Sequence, residues 1–178
     1  MEPDEIIYSE KQRFRQWWIW ALILISPVGF GWVIFQEVAL DSHVGDNSGG
    51  AWVLIVLWLI FGVGFPWFMY VTGLDTLATN VGVCIRFRPF HRNWIVFGFG
   101  QIEKAEALTY SPIKEYGGWG IRYGRKGKAY NVSGNKGVLL TFRDGKRTMI
   151  GSQNHEVLCS VITQRLSQDL QRFTRLPL

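Results

Sequence analysis

The stretch 111–137, SPIKEYGGWGIRYGRKGKAYNVSGNKG, carries the residue types best suited to recognition chemistry. Arg122, Arg125, Lys126, Lys128 and Lys136 are interleaved with Tyr116, Trp119, Tyr123 and Tyr130. Frequent glycine permits close backbone approach, and cations beside aromatic rings suit phosphate or headgroup contact. Three readings compete. Gly117, Gly118 and Gly120 shape a bulge, with Trp119 packed near a core and the cations in water. Or Tyr116, Trp119, Arg122 and Tyr130 form an interaction surface. Or the stretch binds an anion. Gly118, Gly120 and Gly124 miss the spacing of a dinucleotide fingerprint, and the stretch contains no P-loop.

A second basic group, Arg86, Arg88 and Arg92, precedes it. Arg88 and Arg92 are candidate lipid-facing residues, because exposed cations close to an anionic leaflet contribute about 1 kcal/mol each. Ordinary solvated charge is the competing reading. Nothing else resembles a catalytic or metal-binding constellation. His43, His91 and His155 are scattered, without an HExxH pattern. Cys84 and Cys159 form no CxxC and are expected as reduced core cysteines. No enzyme activity, cofactor or metal is expected.

The elements that position these residues begin with two uncharged apolar runs, Trp17–Phe35 and Ala51–Val71. Each is long enough to cross a hydrocarbon core of about 30 Å as a helix. They predict a transmembrane hairpin over 17–71, with spans 17–38 and 51–71 and an external connector 40–50. Residues 1–16 are read as a polar cytoplasmic lead. Lys11, Arg13 and Arg15 precede the first span, and the connector has Asp41 and Asp46 but no Lys or Arg. The positive-inside rule then puts both termini in the cytoplasm of a plasma or inner membrane. Trp17, Trp18, Trp20, Trp52, Trp67 and Tyr70 suit interfacial belts. Gly29 and Gly31 in the first span are expected to face Gly62 and Gly64 in the second, with Pro27 and Pro66 adding kinks.

From Gly73 the period changes to that of strands. Leu74–Thr79 and Val81–Phe87 flank a turn, and Val83, Ile85 and Phe87 alternate with Cys84, Arg86 and Arg88. Trp94–Phe99 and Ile102–Tyr110 read as further strands. Val138–Arg143 and Lys146–Ile150 flank the hairpin signal Asp144-Gly145. An amphipathic helix is predicted over about 153–173, its apolar face made of Val157, Leu158, Val161, Ile162, Leu166, Leu170 and Phe173. Ser152 or Asn154 is its expected cap. Residues 72–178 hold 16 Lys/Arg against 7 Asp/Glu, so the basic charge belongs to this part. A basic domain on a membrane anchor faces lipid headgroups more simply than nucleic acid, and no nucleic-acid partner is expected.

Strands followed by one C-terminal helix resemble the pleckstrin-homology fold. The segments Tyr116–Arg122, Ala129–Gly134, Gly137-Val138, Asp144-Gly145 and Ile150–Gln153 resemble a group of bacterial membrane proteins with PH-like domains behind a two-helix anchor. The resemblance implies an α+β, mainly β, domain over 73–178, with antiparallel strands forming a barrel or sandwich closed by the helix. It carries no catalytic residue and no ligand. The function expected is a membrane-anchored binding or scaffolding module acting through a protein partner or self-association. Anionic-lipid sensing is the alternative, and a subunit of a membrane enzyme or transporter ranks behind both.

Overall fold

The computed structural model of the chain describes residues 5–39 and 50–174, so the connector 40–49 lies outside the described residues. The chain divides into two compact units. One comprises Phe14–Thr72; the other joins the segment up to Arg13 with the chain from Gly73 onward.

In the helical unit, α1 (Trp17–Ala39) runs through Pro27. The second run comprises α2 (Gly50–Leu57), a π-helical segment (Trp58–Gly64) and α3 (Phe65–Val71). Two 20-residue segments, Trp17–Gln36 and Trp52–Val71, are long and apolar enough to cross a membrane. One large ring, that of Trp58, bonds across the helices. The Trp58 indole N–H donates to the Pro27 carbonyl at 2.9 Å. An indole donor without water needs such an acceptor. Gly31 and Gly62 make room for the ring. A Cβ on Gly31 would lie 3.3 Å from the indole nitrogen, and one on Gly62 would lie 3.2 Å from the ring and 3.3 Å from Pro27 Cβ. Gly29 meets nothing within 4 Å. The expected glycine-to-glycine contact is therefore replaced by Trp58 seated between Gly31 and Gly62.

The second unit is α+β. Its first sheet has the order β1-β2-β3-β4, from β1 (Ile6–Arg13), β2 (Gly73–Thr79), β3 (Gly82–Arg88) and β4 (Ile95–Gly98). All its pairings are antiparallel. The polar lead is thus an edge strand of the domain, and the helical unit is an insertion between β1 and β2. The expected start at residue 73 is corrected accordingly. Sequence pattern hid β1 because its inward positions are polar. Gln12, only 2% exposed, pairs opposite Leu74, and Glu10 opposite Thr76. Their partners come from far along the chain. Gln12 Nε2 donates to the Gly151 carbonyl at 2.7 Å. Glu10 accepts from the Ser152 hydroxyl at 2.6 Å, the Gln153 amide at 2.8 Å and the Tyr8 hydroxyl at 2.5 Å. Satisfied in this way, a carboxylate can face inward.

The second sheet has the order β5-β8-β9-β7-β6. Its strands are β5 (Ile102–Thr109), β6 (Gly120–Gly124), β7 (Gly127–Asn131), β8 (Lys136–Phe142) and β9 (Arg147–Gly151). A short helix, α4 (Pro112–Tyr116), separates β5 from β6. The β7–β9 pair is parallel, which local pattern did not announce, and the two sheets do not close into a barrel. The core is where the alternation placed it: Val83, Ile85, Phe87, Val138, Leu140 and Ile150 are essentially inaccessible. The last element, α5 (His155–Thr174), buries Leu158 and Ile162. Val157, assigned to its apolar face, is instead 54% exposed. The Ser152 hydroxyl serves Glu10 rather than capping α5.

Candidate functional site

Register builds a charged cluster on the outer face of the first sheet. Asp75 pairs opposite Arg86, while Gly73 has Arg88 on one side and Arg13 on the other. Three guanidinium groups converge on one carboxylate that is only 2% exposed. Arg13 Nη1 lies 3.0 Å from Oδ1, and Arg86 Nη2 lies 3.3 Å from Oδ2. Arg88 reaches Oδ2 with Nε at 3.0 Å and Oδ1 with Nη2 at 3.2 Å. Gly73 is required here, because a Cβ would collide with the Arg13 side chain and the Gln12 carbonyl. The Arg86 guanidinium also lies 4.5 Å from the Trp94 ring centre, within cation–π range. The four groups carry a formal charge of +2. Their place in the chain is distinctive: Arg13 immediately precedes the helical unit, and only Thr72 separates Gly73 from the end of α3.

Of the two candidate lipid-facing residues, Arg88 is therefore committed to Asp75, with its side chain 40% exposed. Arg92 is exposed and makes no ion pair among the described residues. His91 is part of the structure of the β3–β4 connection. Its Nδ1 accepts the Phe87 amide at 3.3 Å, and its ring packs 5.7 Å from that of Tyr130. Burial, assisted by the Lys128 charge, lowers its pKa.

The glycine-rich stretch divides into core and surface. Tyr116 and Tyr130 are 4% and 2% exposed, so neither belongs to an exposed interaction surface. The Tyr116 ring packs edge-on against Tyr110 at 5.7 Å. Asn131, at the end of β7, ties the end of β5 to the start of β6: its Nδ2 donates to the Tyr110 hydroxyl at 2.9 Å, and its Oδ1 accepts the Gly120 amide at 2.9 Å. Burial is the main cause that pushes the Tyr110 pKa up to about 12. Helix α4 ends because Gly117 adopts φ +73°. The Gly117 and Gly118 amides then close onto the Ile113 and Pro112 carbonyls, both at 2.9 Å. Glu115 reaches back to the Ser111 amide at 2.8 Å and forms an ion pair with Lys126 at 2.7 Å. Together with the Ser111 amide, Lys126 holds the Glu115 pKa below its usual value. What remains at the surface is Trp119 and Arg122. The indole donates to the Gly134 carbonyl at 3.0 Å, and Arg122 Nε donates to the Trp119 carbonyl at 3.0 Å. Exposed Tyr123 lies beside them, with the Lys128 ammonium 5.3 Å from its ring centre.

Sequence reasoning did not identify Asp75, Arg13 or Trp58 as site residues. A usable signal for Asp75 existed: one Asp within an apolar and Thr-rich strand, followed across a tight turn by arginines at alternate positions. Among the described residues no group of three or more His, Cys, Asp or Glu is placed to hold a metal ion. Cys84 and Cys159 are both free thiols. No family model matches the chain, and no curated protein matches it.

Proposed function

We propose that this chain is a membrane-anchored binding module, a PH-like domain carried on a two-helix transmembrane hairpin that contacts protein partners, or copies of itself, at the cytoplasmic membrane face. The observation that carries the anchor is exposure. Along the two apolar segments, Leu22, Ile25, Val28, Trp32, Trp52, Leu59 and Ile60 are all at least half exposed. Apolar surface on that scale requires lipid or a partner. The PH-like reading rests on two sheets followed by one amphipathic helix, with the anchor inserted in the first hairpin. The chain leaves the domain for the anchor and returns from it on adjacent strands, where Arg13 pairs opposite Gly73. Trp119 and Arg122 are the contact residues this reading selects.

The test is cross-linking in native membranes followed by capture of the full chain, with wild type compared against a Trp119→Ala/Arg122→Ala variant that keeps its fold. Loss of specific cross-linked proteins, or of self-cross-links, in the variant supports the reading. Identical capture patterns refute the assignment of that surface.

The second reading is recognition of anionic lipid. The Arg13–Asp75–Arg86–Arg88 cluster supports it through its net positive charge beside the chain connections to the anchor, together with exposed Arg92. It requires an interaction with anionic lipid that weakens as salt rises. Arg92→Glu is the suitable variant, because substitution of Arg88 would also disturb Asp75.

A further inference from the structure

We propose that the open edge of β4, with the cleft beside it, takes an extended acidic peptide segment by strand addition. This rests on the binding-module reading and names the chemistry of the partner. The first observation is an asymmetry among the edge strands. β1 carries Glu10, Lys11 and Arg13; β5 carries Glu103, Lys104 and Glu106; β6 carries Arg122 and has α4 against it. Charged side chains and covering elements protect strand edges from further pairing. β4 reads Ile95-Val96-Phe97-Gly98, without a charge or a proline, and Val96 is 50% exposed. It pairs with β3 on one side and ends the sheet on the other.

The second observation is the cleft where β4 ends and the β8–β9 hairpin turns. It has a volume of about 540 Å³ and is lined by Phe97, Gln101, Phe142, Thr148, two cations, Arg143 and Lys146, and one carboxylate, Asp144. Phe97 and Phe142, with ring centres 5.3 Å apart, provide its apolar part. Arg143 has its backbone fixed by a 3.0 Å hydrogen bond to the Gln101 carbonyl; its side chain is exposed and makes no ion pair among the described residues, although Glu103 and Asp169 line a small cavity with it. Lys146 shares its charge with Asp144 at 2.7 Å. An added strand supplies main-chain hydrogen bonds to β4 while alternate side chains enter the cleft. An apolar side chain suits the phenylalanine rings, and a carboxylate suits Arg143. Charge favours this occupant over a second copy at this edge: the unit that holds β4, residues 1–13 with 73–178, carries 18 basic and 11 acidic residues, so an acidic segment meets a complementary field that a second copy does not.

The experiment uses the full chain in phosphatidylcholine nanodiscs, which present no anionic lipid. Two dye-labelled peptides, EVEIEVE and KVKIKVK, are titrated by fluorescence anisotropy, and hydrogen exchange is followed at Ile95–Gly98. The expected result is saturable binding of the acidic peptide alone, with slowed exchange on β4. Arg143→Gln should weaken it about tenfold, in line with loss of one charge-assisted hydrogen bond. Unchanged exchange in β2 and β8 of the variant shows that its fold persists; if it does not, the wild-type peptide comparison decides by itself. Equal binding of the two peptides, absence of binding, or binding without protection of β4 overturns the proposal. So does β4 protection that grows with protein concentration without peptide, which identifies a second copy as the occupant. If these arms fail while the Trp119/Arg122 variant still loses cross-linked partners, the binding-module reading stands and this cleft is not its site.

Discussion

Replacing Asp75 by Asn keeps the side-chain shape and removes the one negative charge among three guanidinium groups. The carboxylate is 2% exposed, and its partners lie 3.0–3.3 Å away with side chains 22%, 30% and 40% exposed. Ion pairs at such distances are worth about 1 kcal/mol each near the high-dielectric limit, so three of them give about 3 kcal/mol. That equals the lower end of the cost of breaking a buried pair, as expected for partners that water partly screens. The unit holding Asp75 has somewhat more than a hundred residues, for which about 3 kcal/mol corresponds to a fall in Tm of roughly 10 °C. The assay is thermal unfolding of the full chain in nanodiscs, read by hydrogen exchange at β2 and β3 so that the helices do not mask the domain. A second variant, Asp75→Asn with Arg88→Gln, should recover part of the loss because it removes two of the three mutual repulsions. High salt should narrow the gap between Asp75→Asn and wild type. A Tm unchanged within 2 to 3 °C (roughly 1 kcal/mol), or a double variant worse than the single, would refute the electrostatic account of the cluster.

A fragment comprising residues 73–178 should aggregate, because it uncovers β2 and leaves the Gly151 carbonyl and Ser152 without their β1 partners; joining residues 5–13 to residue 73 through a short turn should restore a monodisperse domain, as judged by size-exclusion chromatography and hydrogen exchange. Trp58→Phe should destabilise the helical unit by about 1 kcal/mol, the usual range for a hydrogen bond between membrane helices, measured by unfolding in mixed micelles; an unchanged midpoint would remove the Trp58–Pro27 bond as a determinant. Tyr8 and Tyr110, both with pKa pushed up to about 12 chiefly by burial, should stay protonated in the folded chain when exposed tyrosines have ionised. Their folded pKa exceeds the unfolded value of about 10, so the stability they contribute is complete below that pH and is lost as pH rises from about 10 to 12. Phenolate absorbance followed alongside unfolding checks this; full tyrosine ionisation near pH 10 without unfolding (the ordinary phenol range) would contradict it.

Where periodicity was regular, the sequence was sufficient. Two uncharged 20-residue segments could only be apolar helices or deeply buried elements, and Val83, Ile85 and Phe87 alternating with Cys84, Arg86 and Arg88 defined both faces of β3 before any partner was known. Asp144-Gly145 fixed the β8–β9 hairpin, because a tight turn is a local matter of backbone conformation. Other features depended on residues distant in the chain. β1 read as a polar lead because Glu10 and Gln12 point inward, and inward polar groups are tolerated only where Gly151, Ser152 and Gln153 supply their hydrogen bonds. Tyr116 and Tyr130 read as surface because aromatic residues among glycines and cations suit either environment, and packing alone put them inside. The parallel β7–β9 pair and the arginine cluster follow from register, which is fixed by tertiary packing. Composition and local period thus determined which segments are apolar and extended; the long-range pairing of strands decided which charges meet, which edge stays open, and that the domain begins before the helical unit.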